Sequence, residues 1–208
     1  MKKSLIILVF IASASTLFSQ NGKFIQFKLY KNVEFQLGQT AGTRTIELGV
    51  FSPAIAWGKG ENFHEIQLLS INFFSRAQAR NYSAGAEYSF NYRMSDEGAS
   101  KFQFFIGGGI GGSFQSNYSE IFRNSAQGFS SSGKYLRFHA IAIPRVTYEL
   151  RNNILLDLSL PYKLGTFENI RTNEQDPTIP MNQQTSVFNE FEVLPRAVSL
   201  KFGAIIRF

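Results

Sequence analysis

The stretch "YSAGAEYSFNY", residues 82–92, decides the fold. Its even positions read Tyr82, Ala84, Ala86, Tyr88, Phe90, Tyr92 and its odd positions read Ser83, Gly85, Glu87, Ser89, Asn91. Successive side chains of a strand point to opposite faces, so this is a strand with one apolar and one polar face. The same period of two, again with apolar even positions, returns at residues 102–114, 136–150, 154–164 and 198–208. Upstream, looser copies lie near 24–38, 44–57 and 63–74. In the second of these the apolar phase passes from Ile46, Leu48 and Val50 to Phe51, Ile55 and Trp57, which predicts a bulge around Ser52-Pro53. The pattern predicts an all-β protein of eight strands, with no convincing helical period after the N-terminus.

Alternation alone leaves open whether the apolar face points in, as in a soluble lipocalin-like barrel, or out. Volume separates the two. An eight-stranded barrel has room inside for one filling of side chains. The chain carries 22 Phe and 8 Tyr with only 17% charged residues, too many large side chains for that space. The opposite face is mostly Gly, Ser, Asn and Thr with scattered charges, which suits a narrow lumen. The apolar face is therefore expected to look outward into lipid.

The run "FIGGGIGGSF", residues 105–114, places Gly107, Gly109 and Gly112 at the spacing of a dinucleotide fingerprint. That fingerprint needs a strand-to-helix context and an acidic residue about 20 positions on. Here strands flank the run and a Ser/Gly-rich segment follows. Gly107, Gly109 and Gly111 are instead expected to face the lumen, where bulky partners need space. Gly108 and Gly112 fall on the lipid face, where the pattern assigns them no role.

The connections alternate in length. Short turns at 58–62, 94–100 and 151–153 share one rim. The other rim carries 39–43, 75–80 and two polar segments, 117–133 and 165–194, read as long loops. Outer-membrane barrels show this asymmetry between periplasmic turns and extracellular loops. At the N-terminus, Lys2 and Lys3 precede Leu5-Ile6-Ile7-Leu8-Val9-Phe10-Ile11-Ala12, and small residues run to Ser19. This order predicts a signal peptide over 1–19, cleaved on export, and a barrel over 20–208. With no Cys, the chain has neither disulfides nor thiolate ligands, and lipoprotein processing near residue 19 is closed. The formal charge of +6 falls once Lys2 and Lys3 are removed, and nucleic acid is not expected as a partner.

The chain resembles the small eight-stranded outer-membrane barrels of the OmpA transmembrane domain and OmpX type, in the form found in Bacteroidota as outer-membrane β-barrel domain proteins. The likeness covers the mature chain and rests on the strand count, the alternation and the final aromatic Phe208. It implies an outer-membrane location and an assembly signal, Phe202, Ile206 and Phe208, read by the barrel assembly machinery. The family holds adhesins, structural proteins and enzymes, so the likeness fixes no activity, and it is not expected to extend to a C-terminal peptidoglycan-binding domain.

A lumen charge network is expected from Glu34, Glu47, Glu87, Arg137, Arg145, Asp157, Lys163, Lys201 and Arg207. Glu34 and Glu47 face each other if the first turn centres near residues 40 and 41, and repel unless a cation such as Lys201 stands between them. Arg145 and Asp157 are a diagonal pair across the tight turn at 151–153. Such charges serve either an ion path or a plug of salt bridges, and eight strands favour the plug. The second long segment is acidic, with Glu168, Glu174, Asp176, Glu190 and Glu192 against Arg171, and suits a cationic partner or divalent ions bridging to glycans.

No catalytic residues, metal site or cofactor are expected: His64-Glu65-Ile66 and His139-Ala140-Ile141 lack a lipid-facing His-x-Ser, and two separated His do not make a ligand set. The expected protein is a non-enzymatic monomeric barrel, structural or surface-binding, in contact with outer-membrane lipid and lipopolysaccharide. The alternatives are a lipid A or phospholipid-modifying enzyme and a soluble ligand-binding barrel.

Overall fold

In the computed structural model, residues 23–36, 47–59, 62–76, 79–95, 100–123, 127–175, 178, 180–194 and 197–207 are described. Within them the chain forms β1 (Lys23–Gln36), β2 (Glu47–Lys59), β3 (Asn62–Arg76), β4 (Ala79–Arg93), β5 (Phe102–Arg123), β6 (Gln127–Arg151), β7 (Ile154–Ser159), β8 (Tyr162–Glu174), β9 (Thr185–Val193) and β10 (Ala197–Arg207). Neighbours pair antiparallel from β1 through β7 to β10, and β10 returns to β1 from Gln26↔Arg207 to Gln36↔Ala197. The barrel is closed and leaves no edge at that seam.

Ten segments make eight staves because two staves are broken. β8 continues β7 along β6 past Leu160-Pro161, and β9 runs into β10 past Leu194, whose φ of 51° turns the chain. Proline removes a ladder donor, so the break falls where pairing must lapse. Both breaks lie near one level, since Ser199 N donates to Pro161 O at 3.2 Å and Leu194 N to Leu164 O at 3.0 Å.

Orientation follows from burial. On β4 the residues Glu87, Ser89, Asn91 and Arg93 are buried while Tyr82, Tyr88, Phe90 and Tyr92 are exposed. The other staves repeat this, with Leu29, Phe51, Ile55, Ile66, Phe104, Ile110, Phe138, Leu156 and Phe202 among the exposed apolar side chains. Along β5 the outward apolar residues run from Phe102 to Phe114. At about 3.3 Å per residue and a tilt of about 45°, that span is about 28 Å high, close to the apolar band of about 25 Å on outer-membrane barrels. The outer surface is a lipid-facing band, and the protein is a transmembrane barrel.

Two expectations are corrected. The bulge in β2 lies at Gly49-Val50, where Lys31↔Phe51 gives way to Val33↔Leu48, and not at Ser52-Pro53. It sits where the apolar phase actually shifts, between Val50 and Phe51. Pro53 instead marks the end of the β2–β3 ladder, which stops at Ala54↔Gln67. Residues 117–133 and 165–194 are mostly strand, not loop. β5 and β6 pair out to Arg123↔Gln127, and β8 and β9 pair from Gly165↔Val193 to Asn173↔Thr185. Their Ser, Asn and Thr residues pair as well as apolar ones do, but beyond the lipid band both faces meet water, so no polarity contrast remains to reveal them. Together with the upper parts of β3 and β4 they form a sheet that rises above the barrel.

The glycine run sits where close approach demands it. A Cβ on Gly109 would strike the carbonyl oxygen of Tyr88 on β4, and one on Gly111 the ring of His139 on β6. At Gly107 it would come within 2.6 Å of Asn91 Oδ1. Gly203 likewise yields to the Tyr30 ring, a lumen contact the alternation does not single out. Gly109→Val is therefore expected to destabilise the barrel by about 1–3 kcal/mol. Gly108→Val, one residue away, meets nothing closer than Ile141 O at 3.7 Å and should be neutral or slightly stabilising, because a side chain replaces a flexible strand glycine. Denaturant titrations in lipid vesicles would reveal the contrast; equal effects would remove the steric account.

Candidate functional site

The lumen is filled in layers that climb β3 two residues at a time. At the bottom, Phe63 packs edge-on to Phe105 with centroids 5.3 Å apart, beside Ala56 and Phe24. Next up stands Glu65. Arg145 donates to it twice, Nη1 to Oε2 at 2.9 Å and Nη2 to Oε1 at 3.0 Å, and Lys28 Nζ lies 2.8 Å from Oε2. The Tyr30 hydroxyl sits between Glu65 Oε2 at 2.9 Å and Asp157 Oδ2 at 3.0 Å. Asp157 completes the cluster, with Oδ1 3.6 Å from Arg145 Nε and Oδ2 3.7 Å from Lys28 Nζ. Two cations thus balance two carboxylates, and the aromatic layer below supports the cations: Lys28 Nζ is 4.1 Å and Arg145 Cζ 5.3 Å from the Phe63 centroid.

One step higher, Lys201 Nζ donates to Gln67 Oε1 at 2.7 Å and to Glu87 Oε1 at 2.5 Å. The other Glu87 oxygen meets His139 Nε2 at 3.2 Å. Above this layer the lumen widens into a vestibule of about 280 Å³ lined by Ser83, Ser113, Gln115, Tyr135, Arg137 and Glu168. There Arg137 Nε and Glu168 Oε1 are 2.5 Å apart and partly exposed. Buried charges persist when paired, and every charge of the two lower layers has an opposite charge within 4 Å, while Lys28 Nζ, Arg145 Nε, Asp157 Oδ1 and Gln67 Nε2 have no hydrogen-bond partner.

No family model and no curated protein matches the sequence. Among solved structures, the outer membrane protein OprG of Pseudomonas aeruginosa is similar at a TM-score of 0.51 and 16% identity, over 90% of this chain and 96% of that one. The chain has the fold of the small eight-stranded outer-membrane barrels. The N-terminal barrel domain of Pseudomonas aeruginosa OprF also aligns, at a TM-score of 0.44 and 7% identity, over 90% of this chain and 98% of that one.

The structure brings Glu87, Arg145, Asp157 and Lys201 into the lower layers of this barrel. It adds Lys28, Tyr30, Glu65 and Gln67, which the sequence reading missed. β1 and β3 alternate loosely, so their phase was not secure; Glu65 was visible only as the residue beside His64. Glu34 and Glu47 stand opposite in register. Lys201 pairs with Asn32 across the seam and reaches over the lumen to Glu87, and the side chains of Glu34 and Glu47 lie outside the described residues. Arg137 binds Glu168 in the vestibule, while Lys163 and Arg207 are half-buried outside both layers.

Of the acidic segment, Glu168 and Glu174 lie in β8, and Glu190 and Glu192 in β9; Asp176 lies outside the described residues. Glu168 faces Glu190 directly and Arg137 on its other side. Phe202 and Ile206 point outward, and Phe208 lies outside the described residues. His64 faces out, hydrogen-bonded to the Tyr88 hydroxyl at 2.7 Å and stacked on Trp57. Among the described residues no group of three metal-ligating side chains occurs.

Proposed function

We propose that this chain is a non-enzymatic outer-membrane barrel whose lumen is a fixed support and whose outer sheet is the working surface. The observation that carries the reading is the pair of ion-paired layers across the lumen, in which Lys28, Glu65 and Gln67 are each 2% exposed or less. Charges so committed brace the wall and are not free to pass ions or to act as acid and base. The long hairpins β5–β6 and β8–β9 face the exterior. β9 is exposed along its whole length and, among the described residues, has a partner on one side only, which suits an extended segment of a binding partner. Phe202 and Ile206 present the terminal strand to the assembly machinery after export.

Vesicles holding the folded barrel test this with two readouts. Ion flux should match protein-free vesicles, and mass spectra of the lipid A and phospholipid in the membrane should stay unchanged on incubation. Sustained flux would establish an ion path, and new lipid masses would establish an enzyme; either result replaces the reading.

A further inference from the structure

The lipid face is not smooth. A trough of about 800 Å³, almost wholly apolar, is sunk into the outer wall. Its floor is built from small residues, Ala86, Gly112, Ala140 and Gly165, and aromatic residues including Phe138 and Phe167 rise around it. Gly112 keeps it open, since a Cβ there would press to 3.1 Å from Phe138 Cδ1. This gives the lipid-facing glycine the role that alternation could not assign.

A second feature stands directly up the same strands. Lys134 on β6 and Arg171 on β8 are register partners, both exposed and both on the outward face. Their row continues to Ser116 and Tyr82 on one side and Val187 on the other, and contains no acid. Neither cation has an ion-pair partner among the described residues. Like charges directly opposite on a sheet destabilise it unless an anion lies between them. The row also lies just past Phe114 and Leu136, the last outward apolar residues of β5 and β6 before it, which is the level of lipid headgroups. The anion that fits is therefore a lipid phosphate.

We infer that the trough and the Lys134–Arg171 pair form one binding site for a phosphorylated, multiply acylated glycolipid of the outer leaflet, of the lipid A type. The phosphate bridges the two cations and the acyl chains lie over Gly112, Ala140 and Gly165. The extent of the trough favours this lipid over a two-chain phospholipid: its lining comes from β3, β4, β5, β6, β8 and β9, about 24 Å measured around the curved wall at about 4.8 Å per strand. The inference rests on the proposed outer-membrane placement, with the long hairpins outside.

The full chain, folded in zwitterionic detergent and titrated with bisphosphorylated lipid A under native mass spectrometry, provides the test. Dephosphorylated lipid A and phosphatidylglycerol are the comparison ligands. Lipid A should bind in preference to both, and the double variant Lys134→Gln/Arg171→Gln should bind it at least about ten-fold more weakly, because two charge-assisted contacts are lost. Lys101→Gln/Arg151→Gln, on the opposite rim, should bind like the parent. Gly112→Leu should weaken lipid A with and without phosphate alike.

Equal binding of dephosphorylated lipid A, or an unaffected double variant, would overturn the site. Preference for phosphatidylglycerol would overturn the choice of lipid while leaving the membrane placement standing. Heat-dependent gel migration checks folding of each variant. A double variant that fails to fold would also count against the site, since relieving a like-charge pair should not unfold the sheet.

Discussion

Glu65→Leu is expected to cost about 3–5 kcal/mol of barrel stability, the largest loss from any single lumen substitution considered. Glu65 makes the shorter contacts to both cations, 2.8 Å to Lys28 and 2.9 and 3.0 Å to Arg145, and also accepts from Tyr30. Its removal leaves two buried cations to share Asp157, at 3.6 and 3.7 Å. Removing a cation with it, as in Lys28→Met/Glu65→Leu, restores the balance of one cation and one carboxylate and should recover most of the loss. Trp57, the sole tryptophan, lies on the outer wall and reports unfolding in guanidinium from vesicle-inserted protein. A loss below about 1 kcal/mol for Glu65→Leu would mean that water already neutralises the cluster, and the lumen would no longer count as sealed.

The second large effect tests the outer face. Leu158→Arg puts a cation on the lipid face of β7, with an expected cost of up to about 2–4 kcal/mol that falls toward zero for the same change near either rim. Leu158 pairs with Val146 and Phe202, so no acid is at hand to compensate. The neighbouring Asp157 is buried in the lumen. A fluorescent label at 158 should be quenched by lipid-borne quenchers and one at 157 protected. The reverse pattern would turn the barrel inside out.

Polarity contrast was the legible quantity, and it exists only where one side of a strand meets lipid and the other does not. β4, whose apolar Tyr82 to Tyr92 face Glu87, Ser89 and Asn91, could be read to within a few residues of its ends. β5 could be followed only to Phe114 although it pairs to Arg123, because above Phe114 both faces are wet. The pairing Glu34↔Glu47 followed from the turn position alone, since register along a hairpin is local. The partners of Lys201 and Glu65 are set across the barrel, by strands far apart in sequence, and a single chain carries no mark of which charges will meet there. Nothing in the sequence marks Gln67 as the residue whose carbonyl accepts from Lys201.

The seam between β1 and β10 sets the order in which the molecule can come into being. Gln26 must wait for Arg207, and every other stave lies between them in the chain. Hairpins such as β5–β6 can form early and locally, but the barrel has no finished wall until its most sequence-distant contacts are made, and topologies of that kind fold slowly. During the delay β1 offers an open edge, and the aromatic side that will face lipid has nothing to cover it. Both are openings for aggregation. A chain that closes last at its first strand therefore has its greatest vulnerability in transit, before it reaches the bilayer.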